Sequence, residues 1–356
     1  MSFLNKIKPS LSLSLALFFP VNAAFADSAS EVSARLANLA AQQASAIADD
    51  IHMSGILEVE SFYTDSDEFS GETVYNTVLA TAELAIEATL TDTIKADFVL
   101  LYEGGEGDET GINVDVASLV FEGVFGANFL LGRYYLPFGA YETKMVNDTL
   151  LHELVEIRKT IAMLSRTYEG YSAFIYAFNS DVADQTVSYG LSLDAQYEYY
   201  SIGLDYISNV AEVGGVYEML EDAGYTGHIA GKDQNSAGLV VRGQASIAGF
   251  QLIAERFESE ELKALTFGID SHIKPKAWHL ELSTDYHDWA FAAAFQRTDG
   301  LVGVLAKERI SVSAGTSLTD DLSLIAELWR DQDYSIKQGG TAKSSHSGSV
   351  QLAFKF

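Results

Sequence analysis

The sequence predicts an all-β chain: a transmembrane antiparallel β-barrel of about sixteen strands, led by a short N-terminal helix. Three observations carry this reading. Polar and apolar residues alternate with period two from Ile51 to the end of the chain, as in strands with one apolar and one wet face. The connections between these segments alternate between short turns and long, acidic or glycine-rich loops. The last segment, SVQLAFKF from Ser349 to Phe356, keeps the alternation to its final residue. A soluble sandwich shows the same period; the two classes of connection decide for a barrel.

Residues 1–26 read as a secretory signal. Lys6 and Lys8 precede an apolar run from Leu11 to Phe19, and Ala24 and Ala26 are the small residues a signal peptidase reads, so cleavage is expected after Ala26. The run is about half the ~20 residues that a spanning helix needs. Residues 27–50 change character. Val32, Leu36, Leu39, Gln43 and Ile47 form a heptad-like stripe on an Ala-rich segment. A periplasmic coiled coil assembling a homotrimer, or a helix packed on the barrel mouth, fits that stripe. The barrel occupies residues 51–356.

Composition bounds the partners. Fifty acids against 22 bases give a net charge of −28, which argues against nucleic acid, whose phosphates need a basic surface. The chain has no Cys, so it has no disulfide framework, thiol nucleophile or thiolate metal site.

Taken in order, the segments sort their charges by parity. GILEVESF sets Glu58 and Glu60 against Leu57 and Val59. TAELAIEATL sets Glu83 and Glu87 against Leu84, Ile86 and Leu90, and TIKADFVLLY sets Lys95 and Asp97 against Ile94, Ala96 and Phe98. With the apolar faces toward lipid, these six charges point inward and make one lumen wall acidic. Arg133 in LLGRYY and Arg242 in VVRGQA, with Arg158, Lys159 and Arg166, are the candidates for an opposite basic wall and a transverse field. Plain hydrophilic lining is the alternative. The small outward residues Ala82, Ala88, Ala96 and Ala293 suit packing of protomer on protomer.

Short turns (TLTDTI, IAG, TDYHDW, SLTDDL) alternate with long loops, among them Pro137 to Lys159, Val210 to Ser236 and Ser259 to Lys276. Counting back from Phe356 puts both ends of the mature chain on the short-turn side, in the periplasm. A terminal aromatic on an alternating strand also resembles the signal read by the barrel-assembly machinery, which makes Phe356 the candidate assembly signal.

The most informative stretch is LLGRYYLPFGAYETKMVNDTLLHELVEIRKT, Leu130 to Thr160. Pro137 stops a strand's hydrogen-bond ladder and Gly139 permits a sharp turn. TLLHELVEIRK then has helical character, and Leu150, Leu151, Leu154 and Val155 give it an apolar face. A loop this long with its own apolar face is expected to be ordered and functional. Folded into the lumen, it is a constriction whose candidate residues are Pro137, Phe138, Gly139, Glu142, Glu153, Glu156 and Arg158, with Arg133 and Arg158 facing the acidic wall. Standing outward against a neighbouring protomer is the alternative.

The pattern G-R-x-Y-x-P-F-G-x-[YF]-E-[ST]-x-M, from Gly132 to Met145, with the DTLLHELVEIRKT segment after it, resembles the LbtU-like siderophore porins of the bacterial outer membrane. So do KPKAWHLELSTDY, Lys274 to Tyr286, and ISVSAGTSLTDDLSLIAELWRDQDYS, Ile310 to Ser335. Val155 stands where that family's pattern has glycine. The resemblance covers most of the mature chain and implies passage of a ferric siderophore without a TonB-linked plug.

Other chemistries are weakly signalled. HELVE, His152 to Glu156, lacks the second His of a zinc-protease motif. DSDEFSGE and GGEGDETG hint at calcium loops but do not keep the spacing. No catalytic residue, metal or cofactor is expected. A barrel this wide encloses an aqueous channel. The expected solute is a ferric siderophore by resemblance, with a general cation-preferring diffusion porin and a structural or adhesive barrel as alternatives. The expected partners are outer-membrane lipid and lipopolysaccharide, the barrel-assembly machinery, and ferric siderophore or small hydrophilic solutes.

Overall fold

The computed structural model describes residues 50–65, 73–104, 111–140, 142–180, 187–211, 236–266 and 269–356, with backbone alone for 263–272. The expected signal, the heptad-like stripe and most of both calcium-like loops lie outside the described residues.

Strands β1 (Ile51–Asp65), β2 (Val74–Thr91), β3 (Ile94–Glu103), β4 (Ile112–Val124) and β5 (Ala127–Tyr135) precede a single helical turn, α1 (His152–Val155). Then come β6 (Arg158–Tyr168), β7 (Tyr171–Asn179), β8 (Val187–Gln196), β9 (Tyr200–Ile207), β10 (Gly238–Ile247) and β11 (Phe250–Ser259). A separate hairpin, β12 (Leu262–Thr266) with β13 (Ile269–Ile273), stands inside the connection expected to be a plain loop. The chain finishes with β14 (Lys276–Tyr286), β15 (Trp289–Asp299), β16 (Glu308–Ser317), β17 (Leu322–Gln332) and β18 (Ser344–Lys355).

Sixteen of these strands close into one antiparallel barrel, with β11 paired directly to β14 and β18 to β1. The alternation in sequence becomes two faces. On β14, Trp278, Leu280 and Leu282 are exposed outside, while Ala277, His279, Glu281 and Ser283 are buried inside. Several short turns are tight two-residue hairpins. Phe125–Gly126, Glu169–Gly170 and Ala248–Gly249 each place both residues at positive φ, the turn whose twist matches that of the flanking strands.

The closing seam pairs β1 with β18 from Ile56↔Lys355 to Asp65↔His346, and Phe356 extends it by one more pair. The Phe356 N–H donates to the Gly55 carbonyl at 3.1 Å, and the Gly55 N–H donates to the Phe356 carbonyl at 3.0 Å. A Cβ on Gly55 would sit 2.5 Å from the Phe356 ring, so the glycine leaves the space that the ring fills. An unpaired edge inside a bilayer is costly. Deleting Phe356, or making Gly55→Leu, should lower the yield of folded, heat-modifiable barrel in outer-membrane fractions. Wild-type yield for both variants would contradict this account of the seam.

Candidate functional site

The connection from β5 to β6 runs across the inside of the barrel. Its neck is closed by the Leu136 N–H donating to the Ile157 carbonyl at 2.9 Å, and the Phe138 N–H reaches back to the Leu136 carbonyl around Pro137 at 2.8 Å. Gly139, at φ +94°, then turns the chain inward. Leu136, Phe138, Leu151, Leu154, Val155 and Ile157 are almost fully buried. They join one apolar cluster with Ile161 and Met163 of β6, Tyr176 and Phe178 of β7, Ile207 of β9 and Phe257 of β11. Phe138 meets Phe257 edge to face, ring centres 6.1 Å apart. The apolar face of the loop thus covers an apolar patch on the inner wall, and removal of both from water drives the docking.

The polar side of the loop is held by acids of the wall. The Gly139 N–H donates to Asp205 Oδ2 at 3.0 Å, and the Ala140 N–H to Glu255 Oε1 at 2.9 Å. Glu281 accepts the Thr143 hydroxyl at 2.6 Å and the Lys144 N–H at 3.0 Å. Glu327 Oε2 accepts the backbone N–H groups of Val146 and Asn147 at 2.8 and 2.9 Å, and Asn147 Nδ2 at 3.1 Å. On the way back the Leu150 N–H donates to Gln296 Oε1 at 2.6 Å. Asp205, Glu255, Glu281 and Glu327 are all at most 4% exposed. Hydrogen bonds to ionised acceptors contribute about 1.5–3 kcal/mol each, so this row fixes the loop from β9 round to β17. The loop tip touches β18, where Asn147 Nδ2 lies 3.5 Å from Ser349 Oγ.

Sequence reasoning did not single out these four acids. No local signal marks them: inward parity alone does not distinguish an acid that meets a loop N–H from one that meets water, and in HLELS the inward neighbour of Glu281 is His279. Arg309 is a further residue of this kind: it forks onto Asp331 at 2.8 and 2.9 Å and donates to the Asp148 carbonyl at 3.3 Å.

The residues expected to line the channel fall into two groups. Glu58 and Glu60 alternate with exposed Leu57 and Val59. Glu83 stands opposite Ile56, and Glu87 opposite Asp97, so register puts both on the inner face. Several of the other charges are paired in place. Lys95 pairs with Glu122 at 2.6 Å, and Asp97 is buried on the Ser118 hydroxyl at 3.0 Å. Arg242 forks onto Asp205 at 2.8 and 3.0 Å and also holds Asp194 at 2.7 Å. Arg158 is the first residue of β6 rather than part of the loop, and it is paired with Asp115, which also accepts the Tyr135 hydroxyl at 2.8 Å. Arg133 follows Gly132, at φ +148°, and its Nε is buried without a hydrogen-bond partner. Arg166 pairs with Ala173 in the register of exposed Leu193, on the outer face. These placements do not form the expected basic wall: Arg242 and Arg158 are spent on nearby acids, Arg166 leaves the lumen, and Arg133, paired with Ala117 and Thr160, has the parity of exposed Leu131 on the outer face.

Within the loop, Glu142, Lys144, Asp148 and Glu153 are exposed. The helical segment is a single turn, because Arg158 and Lys159 are drawn into pairing with Tyr135 and Tyr134 of β5. His152 is clamped between Asp148, at 2.8 Å from Nδ1, and Glu156 on Nε2. Burial disfavours the charged ring, but the hydrogen bonds to Asp148 and Glu156 outweigh it and raise the His152 pKa to about 10. Among the described residues, no group of three or more His, Asp or Glu is placed to hold a metal ion.

No protein-family model and no curated protein matches this sequence. Solved structures do match in fold. The outer membrane channel DcaP of Acinetobacter baumannii is 10% identical, with 86% of this chain and 97% of that one covered and a TM-score of 0.64. A multiply substituted porin of Rhodopseudomonas blastica is 12% identical, with 86% and 100% covered and a TM-score of 0.56. The trimer form of OmpT, an outer membrane protein of Vibrio cholerae, is 10% identical, with 86% and 99% covered and a TM-score of 0.55. The chain has the barrel fold of outer-membrane porins.

Two outcomes follow. Glu281→Ala removes the acceptor of two loop donors, which should weaken docking by about 3 kcal/mol and raise single-channel conductance; conductance equal to wild type would contradict the latch. The His152 clamp, with its pKa raised on folding, should be fully present below about pH 6.5 and lost as pH rises through about 10. Protease sensitivity of the loop should rise over that window, and His152→Ala should remove the pH dependence.

Proposed function

We propose that the chain is an outer-membrane diffusion porin whose narrowed lumen favours small hydrophilic cations, with its long loops outside and both termini in the periplasm. One observation carries the reading: the loop covers the inner wall from β6 round to β17 and leaves Glu58, Glu60, Glu83 and Glu87 facing the remaining space. On the loop, the exposed charges are Glu142, Asp148 and Glu153 against Lys144. The wall bases Arg242, Arg309 and Arg158 are spent on Asp205, Asp331 and Asp115. An excess of fixed negative charge in a narrow aqueous path raises the local concentration of cations and repels anions.

Passage of a ferric siderophore is the second reading, favoured by the resemblance of the loop pattern to siderophore porins. Much of that pattern is accounted for by docking. Gly139 and Thr143 donate to the wall, Met145 is buried, and the other two resembling stretches contain the acceptors Glu281 and Glu327. The shared residues therefore support a shared loop geometry more directly than a shared solute. Ferric-siderophore uptake by a deletion strain, with glucose permeation as control, separates the two readings.

In a salt gradient across planar bilayers, the reversal potential should show preference for potassium over chloride. Changing Glu58, Glu60, Glu83 and Glu87 together to Gln should reduce that preference severalfold with little change in size limit. Anion selectivity of the unsubstituted protein would reject the reading.

A further inference from the structure

Bases are scarce in this chain, 22 Lys and Arg against 50 acids, yet five gather on one sector of the outer rim. Arg256 on β11, Lys276 on β14, Arg297 on β15 and Arg330 on β17, with Lys274 just before β14, all lie at the long-loop end. Register fixes their face. Arg256 and Arg297 both pair with Trp278, and Arg330 pairs with Ile310; Trp278 and Ile310 are 42% and 54% exposed on the outer face. At the same end of several other strands an outer position is apolar or aromatic, as at Tyr63, Tyr75, Ile112, Val187 and Leu239.

The cluster is short of negative charge. Glu258 Oε1 takes both Lys274 Nζ and Lys276 Nζ at 2.9 Å, and its Oε2 takes Arg256 Nη2 at 2.7 Å. One carboxylate thus serves three cations, and the two ammonium groups lie side by side. Arg297 is shared between Glu308 at 3.2 Å and Asp299 at 3.7 Å, and Asp299 is also held by Lys307. Arg330 donates to Gln332, a neutral acceptor, at 3.2 Å. Glu260, just past β11, is turned instead toward the Ala237 N–H. The Arg256 guanidinium lies 4.5 Å over the Trp278 ring. An aromatic ring with a cation on it, at the end of a lipid-facing strand, is the arrangement suited to headgroup depth.

We propose that the outer rim of β11–β17 binds the phosphorylated headgroup of an outer-leaflet glycolipid, with Arg256, Lys274, Lys276 and Arg297 as its phosphate ligands. The inference rests on the barrel standing in a membrane with its long-loop end outward. Phosphate is the complement because Arg donates two parallel hydrogen bonds to it and Lys adds point charge. The acyl chains of the same molecule cover the apolar strand face below. Two negative charges there relieve the crowding of three cations on Glu258.

The test is native mass spectrometry of the folded mature chain in detergent, with bisphosphorylated lipid A as the probe. The wild type should retain the lipid, and Arg256→Gln/Lys276→Gln should weaken retention by about tenfold. Arg166→Gln/Lys355→Gln, the same charge change at the short-turn end, should bind as wild type. Millimolar inorganic phosphate should not displace the lipid. Gel migration before and after heating checks that each variant is folded, and Arg256→Lys, which keeps the charge and loses the fork, gives an intermediate affinity. Wild-type retention by the first double variant, or equal loss by the second, overturns the site. Displacement by inorganic phosphate overturns the lipid as its occupant. Cation selectivity of the pore is unaffected by either failure, so the two readings stand or fall separately.

Discussion

Carboxylates buried in a barrel wall, each accepting N–H groups from a loop that crosses the lumen, are the interaction on which the rest depends. Four acids out of water carry a large desolvation penalty unless donors replace the lost hydration. Here the donors come from the loop itself: one for Glu255, two for Glu281 and three for Glu327, while Asp205 adds the Arg242 fork and the Ser192 hydroxyl. Loop and wall each satisfy what the other would leave unpaired. Apolar packing of Leu151, Leu154 and Val155 on β6, β7 and β9 supplies affinity without direction; the acids supply the direction, since each accepts from a particular backbone position.

This division shapes the lumen. A sixteen-stranded barrel alone leaves a wide channel, but the sector from β6 to β17 is occupied on its inner side. What remains open is bordered by β1 and β2, which carry Glu58, Glu60, Glu83 and Glu87, with His52 opposite Glu87; Asp205 and Asp331, by contrast, each hold an arginine. The acids therefore stand in two settings in one barrel. Those on the covered side accept donors from the loop, and those on the open side are the ones to which the proposed function assigns cation preference.

How much of this was legible in the sequence follows from the range of each signal. Strand alternation and the lengths of the connections are local, and together they give the barrel, the approximate strand count and the placement of the long connection between LLGRYY and RKTIAML. The break at Pro137 and Gly139 and the apolar stripe Leu150–Val155 are local too, and they marked the loop as ordered. The helix was overread, because the apolar spacing of TLLHELVEIRK suits a helix while pairing with β5 claims its last residues. The latch acids were not legible. Their partners lie 66 to 181 residues away, and an acid at inward parity looks the same whether it meets water or a backbone N–H. The bases were misassigned for a related reason: parity locates Arg242 inside, but only the closed sheet shows that Asp194 and Asp205 already hold it.

The central claim, that the loop reaches across the lumen and docks at β17 and β18, can be read directly because the chain has no Cys of its own. Cysteines placed at Asn147 and Ser349 should be joined in the folded barrel by a short bis-thiol-reactive crosslinker, since the native side chains are 3.5 Å apart. Near-complete intramolecular crosslinking is expected, visible as a mobility shift after denaturation, with the conductance of the uncrosslinked protein retained. No crosslink in the folded barrel, or efficient crosslinking only between separate chains, would place the loop elsewhere and contradict it.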